Sequence, residues 1–425
     1  MQKVVNADFN TLKGEIIVPA DKSISHRAII LCSLAKGKSV IKNFSDGQDP
    51  NSTKEIFKKL GVDISQDGSS VTVISDGNLK NYTDNIYPCA NSGTTMRLLS
   101  GVLAGQDFES ILIGDESLSR RPMKRIIEPL SLMGAKIESN DYKAPLKIYG
   151  QKLCGIDYDS KLASAQVKSC LLLAGLFADG VTRYTEPYLS RNHTELMLKS
   201  MGANIKTENN TVSIEKSALS PIELEIAGDI SSAAFFIVAG LIVENSDIII
   251  KNVGLNPTRT GILDVIKQMG AEIEILDKKE ICSELVGDIR VKYSSLEGCT
   301  IGGEIVPRLI DEIPIIAVLA TQAQGKTIIK DAADLRNKES DRIDAVVAEL
   351  RKLGANITPT PDGMIIEGKT KLAGGVEVET YHDHRLAMSL YVAGLVCEKD
   401  ILINGFEWVD ISFPNFESLM EKIKG

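Results

Sequence analysis

Lys59-Leu60-Gly61-Val62, Leu132-Met133-Gly134-Ala135, Ser200-Met201-Gly202-Ala203, Gln268-Met269-Gly270-Ala271 and Lys352-Leu353-Gly354-Ala355 are five copies of one phrase. In each, a helical pattern runs into Leu or Met, then Gly, then Ala or Val, then a segment such as Ala203-Asn204-Ile205-Lys206. Glycine ends a helix there because it takes a left-handed backbone at no steric cost. The alternation that follows predicts a strand. Asn209-Asn210 and Pro361-Asp362-Gly363 then read as turns between paired strands. The glycines are 73, 68, 68 and 84 residues apart, and a truncated sixth copy, Ile423-Lys424-Gly425, ends the chain 71 residues after Gly354.

A second phrase interleaves with the first: a short, very apolar helix, a small-residue or polar break, then a strand. Its copies fall at 27–34, 96–103, 167–177, 233–243, 313–320 and 385–396. Helices apolar nearly all round are expected in cores. Together the phrases predict an α/β fold of six units, each strand–helix–strand–helix–strand–strand. The units group in two sets of three. A strand at 15–18 leads into Pro19-Ala20-Asp21-Lys22-Ser23, and a similar one at 223–226 leads into Ala227-Gly228-Asp229-Ile230-Ser231. If the last unit lacks its own final strands, the N-terminal segment supplies them. One domain is then expected at 21–227 and a second from 1–20 plus 228–425, with the cleft between them as the natural site.

Composition bounds the function. The 425 residues carry 48 Lys+Arg against 57 Asp+Glu, a net charge of −9. A hydrophobic fraction of 43% excludes a disordered chain. The acidic balance argues against a general nucleic-acid binder, so any anion must meet a local cluster of cations. The longest apolar run, 233–243, is too short to span a bilayer, which takes about 18 residues. Residues 1–10 lack a charged stretch followed by an apolar one, so no signal peptide is expected and the expected location is the cytoplasm. Seven cysteines without a CxxC pair read as reduced, mostly buried thiols. Four histidines without an HExxH pattern argue against a zinc site, and the sequence lacks both the P-loop and the Rossmann glycine pattern.

The buried helices begin with Lys22-Ser23-Ile24-Ser25-His26-Arg27, Asn91-Ser92-Gly93-Thr94-Thr95-Met96-Arg97, Ser164-Ala165-Gln166-Val167-Lys168, Asp229-Ile230-Ser231-Ser232, Asp311-Glu312-Ile313-Pro314 and His382-Asp383-His384-Arg385. Ser, Thr, Asn and Asp are ordinary N-caps. The odd feature is the cations Lys22, Arg27, Arg97, Lys168 and Arg385 in first turns, where the helix dipole disfavours them. An anion lying between them and the free amides would account for that. Basic segments also precede the second helix of several units, at Ser119-Arg120-Arg121-Pro122, Ser190-Arg191-Asn192-His193 and Thr258-Arg259-Thr260. The run Lys338-Glu339-Ser340-Asp341-Arg342 reads either as a salt-bridged helix face or as a carboxyl group held among cations for acid–base work. For Asp311 alone, an N-cap is the simpler reading.

These residues carry a resemblance. Pro19-Ala20-Asp21-Lys22-Ser23-Ile24-Ser25-His26-Arg27-Ala28, Asn91-Ser92-Gly93-Thr94-Thr95-Met96-Arg97 and Arg336-Asn337-Lys338-Glu339-Ser340-Asp341-Arg342 closely resemble signatures of the EPSP synthase family. So do Ala163-Ser164-Ala165-Gln166-Val167-Lys168-Ser169, Gly228-Asp229-Ile230-Ser231-Ser232-Ala233, Asn256-Pro257-Thr258-Arg259-Thr260-Gly261 and His382-Asp383-His384-Arg385, in order along the chain. The resemblance implies a two-domain inside-out α/β barrel with three βαβαββ repeats per domain, and a cytoplasmic monomer. It implies transfer of the enolpyruvyl group of phosphoenolpyruvate to the 5-hydroxyl of shikimate 3-phosphate, by addition–elimination and with no metal and no organic cofactor. Shikimate 3-phosphate would be held by Lys22, Ser23, Arg27, Ser164, Gln166, Ser190, Asp311 and Lys338. Phosphoenolpyruvate would be held by Lys22, Gly93, Arg121, Gln166, Arg342 and Arg385. Asp311 resembles the family's base for the attacking hydroxyl, Glu339 its proton shuttle at C3, and Lys22 a residue spanning both substrates. Ile411 departs from the pattern: many members carry lysine just before the segment that is Ser412-Phe413-Pro414 here.

Two alternatives stand beside this reading. A UDP-N-acetylglucosamine enolpyruvyl transferase shares fold and chemistry, but would want a reactive cysteine near the second unit, and 109–123 holds none. A non-catalytic six-repeat ring such as a DNA sliding clamp would want a basic lumen and salt-sensitive DNA binding.

Overall fold

In the computed structural model, residues 1–7, 11–81 and 84–425 are described, so the part of the N-terminal reading that rests on residues 8–10 lies outside them. The second repeat shows the common plan. Strand Ile86–Pro88 pairs parallel with Glu109–Ile113, and helix Gly93–Ala104 connects them. Helix Lys124–Leu132 follows, then the hairpin Lys136–Asn140 and Lys143–Tyr149, whose second strand lies antiparallel to Glu109–Ile113. The third repeat and the fifth keep this order and these pairings. The strand–helix–strand–helix–strand–strand expectation therefore holds in these three repeats.

The first and fourth repeats differ in the source of their opening strand. Lys13–Ile17 pairs parallel with Asp247–Gly254, and Glu223–Glu225 pairs parallel with Gly37–Lys42. Each lead strand thus completes a sheet in the half that does not contain the helix following it in sequence. The sixth sheet has three strands: Glu377–Glu379, Ile401–Asn404, and N-terminal Gln2–Val5 antiparallel to the latter.

The chain divides into two compact units. One comprises Met1–Pro19, Ala227–Lys279 and Leu285–Gly425; the other comprises Ala20–Ile226 with Glu280–Glu284. Each has its own apolar core. The six buried helices, Lys22–Leu34, Gly93–Ala104, Ala165–Gly175, Ile230–Ile242, Ile313–Gln322 and His384–Gly394, fill those cores. All thirteen residues of Ile230–Ile242 are buried. Burying each of its large apolar side chains contributes about 1.5–3 kcal/mol. Helices Gly93–Ala104 and Ala165–Gly175 approach so closely that a Cβ on Gly101 would lie 2.1 Å from the Cys170 carbonyl oxygen.

The repeated glycines behave as read. Gly61, Gly134, Gly202, Gly270 and Gly354 have φ of +86°, +94°, +84°, +87° and +101°. The last copy differs, because helix Phe416–Ile423 ends at Lys424 with φ −65°. Cys32, Cys89, Cys170 and Cys397 are buried, and burial pushes their thiol pKa values up. Among the described residues no helix is long and apolar enough to cross a membrane.

Candidate active site

The candidate residues fall into two clusters, one in each unit. In the unit containing Ala20–Ile226, Asp21 caps helix Lys22–Leu34 by accepting from the Ile24 amide at 2.9 Å. That fixes the first turn and places Lys22 on Asp49 at 3.1 Å. Arg27, buried, donates to Thr194 Oγ1 at 2.7 Å, Ser169 Oγ at 2.8 Å and the Ser23 carbonyl at 2.8 Å. Arg191 reaches Ser23 Oγ at 3.2 Å. Ser164 caps its helix at the Val167 amide.

A second group in the same unit surrounds Gly93. Arg97 donates to Gln166 Oε1 at 2.7 Å, and Gln166 donates to Thr94 Oγ1 at 3.0 Å. Arg121 donates to Asn91 Oδ1 at 2.6 Å. A Cβ at Gly93 would lie 2.7 Å from one Arg97 guanidinium nitrogen and 3.5 Å from one of Arg121. The missing side chain is therefore what lets the Arg97 guanidinium lie over this helix start, with that of Arg121 beside it.

His26 is buried in the same helix with Nδ1 2.7 Å from Thr53 Oγ1. Burial, then the charges of Lys22 and Arg27, hold its pKa well below the ordinary imidazole value. Lys168 needs a correction as a first-turn cation awaiting an anion. It is buried and ion-paired to Glu186 at 2.7 Å and Glu195 at 2.8 Å. Those glutamates already compensate its charge.

The other unit holds the second cluster. Arg342 is the largest side chain that is fully buried. It donates to Asp383 at 2.8 and 3.3 Å, to Glu339 at 2.7 Å, and to Asp311 at 3.5 Å. Burial disfavours its charge, but Asp383 and Glu339 outweigh burial and hold its pKa above the usual guanidinium value. Asp311 also has Lys338 at 3.7 Å and Arg385 at 3.9 Å. Three cations thus face one carboxylate.

Two local expectations change here. Asp311 is not an N-cap: helix Ile313–Gln322 has Glu312 in that position, and it makes no side-chain capping bond. Nor is the Glu339–Arg342 pair a helix face, because Asp341 caps a helix that begins at Arg342. Glu339 lies before the helix and still reaches the Arg342 guanidinium.

Asp383 joins three parts of this cluster. Its carboxylate grips Arg342, accepts from Ser340 Oγ at 3.0 Å, and caps helix His384–Gly394 at the Arg385 amide at 2.9 Å. One buried acid thus orients two predicted substrate cations. Arg385 in turn donates to the Asp311 carbonyl at 3.1 Å. Phe413, after Ile411, is buried among Phe236 and Phe416, so this segment anchors the core.

The chain as a whole is similar to known proteins. A family model described as EPSP synthase (3-phosphoshikimate 1-carboxyvinyltransferase) matches residues 7–420. The chain belongs to the EPSP synthase family. The 3-phosphoshikimate 1-carboxyvinyltransferase of Bacillus licheniformis is 51% identical over 421 residues, 98% of each chain. Among solved structures, the EPSP synthase of Acinetobacter baumannii superposes with a TM-score of 0.88 at 43% identity, covering 100% of this chain and 98% of its own. An enolpyruvyl transferase of Streptomyces tendae shares the fold at a TM-score of 0.80 and 17% identity, covering 99% of this chain and 96% of its own. This EPSP synthase family member is accordingly a transferase with the two-domain inside-out α/β barrel fold.

Proposed function

We propose that the chain transfers the enolpyruvyl group of phosphoenolpyruvate to the 5-hydroxyl of shikimate 3-phosphate, releasing phosphate, and that both clusters serve this one pair of ligands. The observation that carries the reading is the match to the family over residues 7–420. Both substrates carry a phosphate and a carboxylate, and Lys22, Arg27, Arg121, Lys338, Arg342 and Arg385 supply compensating charge. Charge-assisted hydrogen bonds to such groups are the strong ones.

In the addition step, Asp311 accepts the proton of the attacking 5-hydroxyl while Glu339 delivers a proton to C3 of phosphoenolpyruvate. A C–O bond forms at C2. In the elimination step, the C2–O bond to phosphate breaks, the departing phosphate takes up the proton held by Asp311, and Glu339 takes a proton back from C3, restoring the double bond. An ionised Asp311 is an acceptor only, which suits a base. Arg342, in contact with both carboxylates, keeps them at fixed positions, and positioning of this kind accounts for several kcal/mol of a barrier. Lys22 spans both substrates; Ser23, Ser164, Gln166 and Ser190 orient the phosphate and ring, and Gly93 leaves room for phosphoenolpyruvate. The protein acts as a cytoplasmic monomer in this reading.

The test is phosphate release from phosphoenolpyruvate, with shikimate 3-phosphate, with UDP-N-acetylglucosamine, or with neither. Release only with shikimate 3-phosphate is expected. Release with the nucleotide sugar instead would move the assignment to the other transferase.

A further inference from the structure

Lys168, Glu186 and Glu195 form a buried ion cluster with one cation and two carboxylates; their side chains are 3%, 2% and 8% exposed. Nothing in the proposed chemistry uses it. Its connections point to a purpose. Glu186 accepts from the Ser190 amide at 2.8 Å and from Ser190 Oγ at 2.6 Å. Lys168 donates to the Ser190 carbonyl at 3.1 Å. The amide, carbonyl and hydroxyl of one residue are thus all held by one buried ion pair. The neighbouring first turn of helix His193–Ser200 holds Arg27 through Thr194, whose Oγ1 also lies 2.7 Å from Ser169 Oγ.

We propose that Glu186, anchored by Lys168, is a positioning residue that presents Ser190 to the phosphate-bearing substrate. The inference rests on the shikimate 3-phosphate reading above. A carboxylate beside a phosphate site is repulsive by itself, and Lys168 offsets that repulsion. When the Ser190 hydroxyl turns its proton to the ligand, Glu186 keeps the Ser190 amide and the Lys168 ammonium, so the buried carboxylate is never left unpaired. Leaving it unpaired would be costly. Glu195, on helix His193–Ser200, completes the charge pairing of Lys168.

Glu186→Gln keeps the shape and removes one acceptor. The expected result is a rise of about tenfold in KM for shikimate 3-phosphate, with KM for phosphoenolpyruvate within about twofold of wild type. The same substitution in a Ser190→Ala background is expected to cost much less, since the effect runs through Ser190. Glu195→Gln removes an equally buried carboxylate and is expected to lower the melting temperature while leaving that KM within about twofold. Should Glu186→Gln not fold, Glu186→Asp keeps the charge and shortens the reach by one methylene, and carries the same test. An unchanged or lowered KM for shikimate 3-phosphate, equal losses in Glu186→Gln and Glu195→Gln, or full additivity with Ser190→Ala would overturn the proposal. Wild-type protein inactive with shikimate 3-phosphate would instead overturn the functional reading on which it rests.

Discussion

Asp383→Asn removes a buried negative charge and, with it, the acceptor oxygen that Arg342 and Ser340 share. Asn caps a helix about as well as Asp, so helix His384–Gly394 keeps its N-cap. What is lost is the ion pair with Arg342, made at 2.8 and 3.3 Å with both side chains buried. Removing one partner of such a pair costs about 3–5 kcal/mol. For a unit of this size each kcal/mol lowers the melting temperature by about 2–4 °C, so the expected drop is roughly 6–20 °C. Asp383→Ala also loses the cap and is expected to cost about 1 kcal/mol more. Trp408, the only tryptophan, stacks on His382 at 4.6 Å between ring centroids in the same unit, so its fluorescence reports the melting of that unit. The pH dependence has a definite sign. Burial raises the Asp383 pKa, but the charge and hydrogen bonds of Arg342, together with the charge of His384, outweigh it and the net shift is downward. Its stabilising contribution is therefore complete above the ordinary carboxylate value near pH 4 and is lost as pH falls through the depressed one. The gap between wild type and Asp383→Asn should be full at pH 7 and narrow below about pH 4. A drop under about 2 °C at pH 7, or a gap that widens on acidification, would refute the reasoning.

Gly93→Ala should raise KM for phosphoenolpyruvate by about tenfold or more, because its Cβ displaces the Arg97 guanidinium, which donates to Gln166. The atoms displaced are the end of a flexible side chain, so the melting temperature measured by circular dichroism should barely move. His26 predicts a second pH effect of known sign. Its lowered pKa means that the unfolded chain takes up a proton below about pH 6.5 while the folded chain does not. Stability then falls as pH drops from there, by at most about 1.4 kcal/mol per pH unit from this group. Denaturant titrations of His26→Asn between pH 7 and pH 5 should show a shallower decline than wild type.

The six-fold plan was legible because its signals are local. A glycine in the left-handed region and an apolar helix each announce themselves within a few residues. The exchange of the two lead strands was less so, because Lys13–Ile17 and Glu223–Glu225 carry no mark of which sheet they complete. In the site, contiguous runs such as Lys338-Glu339-Ser340-Asp341-Arg342 could be read directly. The partners of those residues could not. Lys168 looks like a cation waiting for a ligand until Glu186 and Glu195 are seen against it, and Asp383 looks like a cap until Arg342 is seen beside it. Lys168 meets its glutamates from other segments of its own repeat, and Asp383 meets Arg342 from the neighbouring repeat. Asp311 shows the reverse: the plain capping pattern suggested a structural role, and the actual cap lies at Glu312.

The most direct test of the central claim is Asp311→Ala, read as turnover and, by calorimetry, as affinity for shikimate 3-phosphate. A base that acts in the transition state should cost about 10²–10⁴-fold in turnover. The dissociation constant should stay within about threefold, since Lys22, Arg27 and Lys338 still meet the ligand. Turnover close to wild type, or a dissociation constant that worsens in step with the lost rate, would contradict the account.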